Sequence, residues 1–100
     1  MDKLSALFEL RCMLREMEAD VGLDALTAAE MDVLLAAHSV TGELGEVVTS
    51  EQIRQHDLAS GLAQATYHRA LRSLVGLGLL EKARGYKARH YVVRADLVSQ

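Results

Sequence analysis

Apolar side chains recur along this chain of 100 residues in two rhythms, one helical and one of strand type. Leu7, Leu10, Leu14, Met17 and Val21 alternate steps of three and four, and Leu4, Phe8 and Met13 widen that seam, which predicts a helix over 3–21 closed by Gly22. Thr27-Ala28-Ala29-Glu30 is a reciprocal capping pattern that opens a second helix, running to about Val40, with Met31, Val33, Leu34, Leu35 and Ala37 expected inside. Gly42 and Gly45 break the chain into a loop over 41–46, and Val47-Val48 suffices only for a minimal edge strand. Thr49 or Ser50 starts a third helix, with Gln52 placed to cap it, Ile53 and Leu58 expected to face inwards, and an end near Asp57. The connection Ala59-Ser60-Gly61-Leu62 leads into a fourth helix over 63–77. There Ala63, Ala70, Leu71, Leu74 and Leu77 share one face, while Gln64, Thr66, His68, Arg69, Arg72 and Ser73 fall mostly on the others. Gly78 sits where a left-handed terminating residue is needed. Leu79–Arg84 and Arg89–Arg94 then read as two strands around Gly85-Tyr86-Lys87-Ala88.

The elements describe a mainly α chain with a small antiparallel β-hairpin, an α+β domain occupying residues 1–100. Two short helices joined by a glycine-containing turn, the second exposing basic and amide groups, make a helix-turn-helix arrangement. Charge sharpens the picture. From residue 61 onwards there are seven Lys or Arg against two acids, a balance of +5. The first sixty residues carry four basic and twelve acidic side chains, a balance of −8, so the net charge of −3 conceals a concentrated positive segment. Such asymmetry points to a polyanionic partner.

The order of elements resembles a winged helix-turn-helix with an extra N-terminal helix, most nearly the MarR-like transcriptional regulators. Leu26 to Leu34, Val48-Thr49-Ser50-Glu51-Gln52-Ile53, and Thr66 to Leu74 running into Gly78-Leu79-Leu80 carry the resemblance, which covers 26–94. It departs from that family in having no long C-terminal helices and a short wing without the acid-and-arginine tip. The resemblance implies a sequence-specific regulator of double-stranded DNA, with the helix 64–77 in the major groove and the wing 84–89 on the backbone or minor groove. Gln64 then suits adenine and Arg69 guanine, Thr66 and His68 add hydrogen bonds, and Arg72 and Ser73 reach phosphates. Arg84, Lys87 and Arg89 grip the backbone or minor groove, and Tyr86 packs against sugar. The helix 3–21 becomes a homodimerisation helix, with Leu4, Leu7, Phe8, Leu10, Leu14 and Met17 at the interface.

Other classes fit less well. The acidic first half and the apolar seam also suit a winged helix that binds protein within a larger assembly and does not bind DNA. His38, His56, His68 and His90 are scattered, with no pair at metal-ligand spacing. There is no glycine-rich phosphate loop and no serine nucleophile elbow, so neither an enzyme nor a cofactor is expected. Glu16 with Glu18, and Asp20 with Asp24, read as a charged helix face and its end. No apolar run of membrane-spanning length and no signal peptide pattern occur, and Cys12 has no partner for an internal disulfide; a reducing cytoplasm is the expected setting.

Overall fold

A computed structural model describes residues 2–43, 45–83, 85 and 89–94. Five helices and three short strands follow in the order α1 (Lys3–Asp20), α2 (Ala28–Val40), β1 (Val48–Thr49), α3 (Ser50–Gln55), α4 (Asp57–Ser60), α5 (Gln64–Gly76), β2 (Leu80–Lys82) and β3 (His90–Val93). The molecule is thus mainly helical with one small antiparallel sheet. Strand order is β1-β3-β2, with Val48 opposite Tyr91, Leu80 opposite Val93 and Lys82 opposite Tyr91. The two-residue strand is an edge member, and β3 is central.

Local chemistry sets the helix ends. Thr27 Oγ1 accepts from the Glu30 amide while Glu30 Oε1 accepts from the Thr27 amide, and Thr49 and Gln52 repeat the exchange at the start of α3. Each pair satisfies two donors that a helix start would otherwise leave unpaired. At the far end of α5 the Leu79 amide reaches the Leu74 carbonyl and the Gly78 amide the Val75 carbonyl. This double closure requires positive φ at the penultimate position, and Gly78 has φ +79°. Leu79 and Leu74, both buried, pack across it, so the helix stop also aims β2 at the core.

The core gathers Val33, Leu34, Ala36 and Ala37 of α2, Ile53, Ala59, Tyr67, Ala70, Leu71, Leu74, and Val48, Leu80 and Val93 from the sheet. Several expectations from periodicity are corrected here. Leu35, Leu58 and Leu77, expected inside, are 44%, 43% and 57% exposed. Leu58 is displaced because the chain after His56 makes a further helical turn, α4, where a connection was expected. The His56 imidazole Nδ1 accepts from the Leu58 amide to start that turn, and Ala59 becomes its buried residue. Ala63 is the exposed N-cap of α5, and Tyr67 fills the inward position one turn later. The strands are shorter than the stretches 79–84 and 89–94, and the edge strand is shifted one residue along.

Helix α1 stands apart. None of its residues is buried, and Leu4, Leu7, Phe8, Leu10, Met13, Leu14 and Met17 are all more than half exposed. An 18-residue helix is about 27 Å long, and the chain as a whole measures 52 × 29 × 23 Å. No helix among the described residues is long and apolar enough to cross a membrane.

Candidate nucleic-acid interface

Helix α5 divides into three faces. Tyr67, Ala70, Leu71 and Leu74 form the buried one. Thr66 and Ser73, seven residues apart and half-buried, mark the flank towards α2, where the Ser73 hydroxyl donates to Glu30 Oε2. That bond, followed by the one from the Thr27 amide, holds the Glu30 carboxyl below its ordinary value. The remaining face is open and polar. Gln64, His68 and Arg72 climb it at four-residue steps, each drifting about 40°, and Arg69 lies one turn before Arg72. Gln64, Arg69 and Arg72 are exposed, and so are Ala65 and Gly76, which fall on the same face. Small residues there let a flat or grooved partner approach the helix backbone.

Beside this face a cleft of about 610 Å³ opens between α3, α5 and β3. Glu51 and Gln55 come from α3, Gln64 and His68 from α5, and Arg89 and His90 from the foot of the β2–β3 hairpin, with Ser50, Arg54 and Tyr67 towards its base. The floor is tightly bonded. The Tyr67 hydroxyl donates to the Ser50 carbonyl at 2.8 Å and lies 3.0 Å from Ser50 Oγ. A phenol has one proton, so the serine hydroxyl is the donor in the second contact. Burial pushes the Tyr67 phenol up despite the Ser50 bond, which keeps it in the donor form. The Tyr67 ring meets His68 edge-on at 5.4 Å and carries the Arg54 guanidinium 4.9 Å from its centroid. Arg54 Nη1 and Nη2 donate to the carbonyls of Ala59 and Leu62, both at 2.6 Å. The Ser50 amide donates to the Arg89 carbonyl at 2.9 Å, and Arg89 adopts φ +76°.

The sites expected from sequence are therefore distributed unevenly. Gln64 and His68 share the cleft with Arg89, Arg69 and Arg72 continue the same open side of α5, and Thr66 and Ser73 lie on the opposite flank. Arg84, Tyr86 and Lys87 lie outside the described residues. Sequence reasoning missed Arg54, Tyr67 and Ser50, which organise the floor, and Glu51 and Gln55, which bring α3 into the cleft. For Tyr67 a signal existed: it stands four and seven residues before Leu71 and Leu74, at helical spacing. No group of three or more His, Cys, Asp or Glu side chains gathers as a metal ion would require among the described residues. No protein-family model, no curated protein and no solved structure matches the chain.

Proposed function

We propose that the chain is a sequence-specific double-stranded DNA-binding regulator of winged helix-turn-helix type, most nearly MarR-like, acting in the cytoplasm as a homodimer. The observation that carries this reading is the open side of α5, where Gln64, His68, Arg69 and Arg72 stand exposed or half-exposed, with Gln64 and His68 bordering a cleft that Arg89 also lines. In that reading α5 enters the major groove, Gln64 and Arg69 address base edges, and Arg72 and Arg89 meet phosphates. The large apolar positions of α1, all more than half exposed, support pairing with a second copy, which would set two reading helices on half-sites about 34–36 Å apart.

The test is fluorescence anisotropy with a mixed-sequence duplex at low salt, followed by selection of bound sequences from a random duplex library. Affinity that falls steeply with salt and a selected consensus are expected. Absence of binding at low salt overturns the reading. Because α1 presents so much apolar surface, a protein-binding module without DNA affinity is the reading that would replace it.

A further inference from the structure

We infer that Arg54 is a positioning residue for base reading and is not one of the cations that meet phosphate, an inference that rests on the DNA-binding reading above. Its charge lies in the cleft, where a phosphate contact would ordinarily be assigned. Its geometry assigns it elsewhere. Both terminal nitrogens donate to main-chain carbonyls, Ala59 at the last turn of α4 and Leu62 just before α5. The guanidinium carbon lies over the Tyr67 ring, 4.9 Å from its centroid, so the group is contacted from a third side. A planar fork with fixed donor directions can bind two carbonyls at once, and an ammonium on a flexible stem cannot reproduce that.

The bonds form a continuous path. Arg54 ties the α4–α5 turn to α3 and to the Tyr67 ring; Tyr67 is bonded to Ser50 at the start of α3; the Ser50 amide holds the Arg89 carbonyl at the hairpin foot. One guanidinium and one phenol thus set α3 and α5 relative to one another, and the Ser50 amide joins the hairpin foot to them. Loosening Arg54 alters the angle at which α5 is presented. Base contacts depend on that angle far more than phosphate contacts do, because they need matched donor and acceptor positions.

The test compares Arg54→Lys and Arg54→Gln with the wild type on the library-selected duplex and on a mixed-sequence duplex, at a temperature where circular dichroism shows each variant folded. Both variants are expected to lose about tenfold in preference for the selected site, with the salt slope on the mixed duplex unchanged. An Arg54→Lys variant that matches wild type on the selected site overturns the inference. So does an Arg54→Gln variant that weakens equally on all sequences with a slope about one unit shallower, as loss of a phosphate contact would give. Should the variants fail to fold, nitrogen-detected NMR of the wild type decides. Slow guanidinium rotation at Arg54 in the free protein, unchanged on adding duplex, supports it; rotation that slows only with duplex overturns it. If the wild type binds no duplex at all, the failure is that of the DNA-binding reading, and hindered rotation in the free protein still reports the contacts themselves.

Discussion

The Tyr67 hydroxyl and the Ser50 main chain are joined at 2.8 Å across 17 residues of sequence, inside the core and directly beneath the cleft. The bond links the second turn of α5 to the first residue of α3. A second contact, from the Ser50 hydroxyl to the same phenol oxygen at 3.0 Å, satisfies the buried side chain of Ser50, which is 7% exposed.

Tyr67→Phe removes that partner while keeping the ring. Two buried groups, the Ser50 carbonyl and hydroxyl, then lose a hydrogen bond, at a cost of about 1–3 kcal/mol. Tyr67→Ala removes the ring as well and should cost about 3–5 kcal/mol, as for other large aromatic side chains deleted from a core. Urea unfolding followed by circular dichroism measures both, and equal losses for the two would mean that the ring is not a packing centre.

Glu30 couples the start of α2 to α5 through Thr27 and Ser73, and its carboxyl is held below its ordinary value of 4.5 by the Ser73 hydroxyl first and the Thr27 amide second. A carboxyl whose folded value is depressed binds its proton more tightly in the unfolded chain. It therefore contributes stability that is fully present above its unfolded value and is lost as pH falls through the folded one. Glu30→Gln keeps an acceptor at the cap but cannot titrate. The wild type should lose stability on acidification from pH 5 to pH 3 more steeply than the variant, and parallel curves in melts across that range would refute the coupling.

Most of the architecture could be read from the residues, because much of it rests on local chemistry. Thr27 with Glu30, Thr49 with Gln52 and the glycine at 78 specify helix ends through bonds three to five residues long, which a sequence displays directly. The polar side of α5 was equally legible from its spacing. What escaped depends on contacts distant along the chain or on turns without a strong signature. His56 starts an additional helical turn by accepting from Leu58, and that turn rotates Leu58 outwards. Arg54 sits in the acidic half of the chain, yet its carbonyl partners at Ala59 and Leu62 make it part of the site. Charge counting cannot distinguish such an internally bonded arginine from a free surface cation.

Arg89 tests backbone and charge separately. Its φ of +76° places a residue with a Cβ in the left-handed region, which costs about 1–2 kcal/mol and is relieved by glycine. Arg89→Gly should therefore be more stable than Arg89→Ala by about 1 kcal/mol in thermal melts, the reverse of the order expected in ordinary extended chain. Both should lose the same duplex affinity, with a salt slope about one unit shallower, if the guanidinium meets phosphate. A glycine variant that binds duplex as the wild type does would assign Arg89 a purely conformational role.

Arg69 and Arg72 share the open side of α5 one turn apart, yet they are assigned different duties. Arg69→Ala should cost about 1–3 kcal/mol on the selected site and relax base preference at one position. Arg72→Ala should weaken binding to all sequences alike and flatten the salt slope by about one unit. Anisotropy titrations at several salt concentrations separate the two patterns, and identical small losses on every sequence would show that α5 does not read bases.

Helix α1 gives the clearest separation of assembly from folding, because no residue in it is buried. An 18-residue helix that buries none of its residues is only marginally stable in water. Its seam is nevertheless apolar, with Leu7 61%, Leu14 54% and Met17 62% exposed. Burying that seam against a second copy would stabilise both helices at about 25 cal/mol per Å² of apolar surface removed from water. Leu10→Glu combined with Leu14→Glu places two charges in the middle of the seam, where a partner helix would have to desolvate them. Light scattering should then change from a dimer to a species of 11.0 kDa, and circular dichroism should lose helical signal as α1 frays. The cooperative unfolding transition should survive and become independent of protein concentration, since the core formed by α2, α3, α5 and the sheet includes no α1 side chain. A double variant that stays dimeric would place the subunit contact elsewhere, and one that unfolds entirely would mean that α1 supports the core.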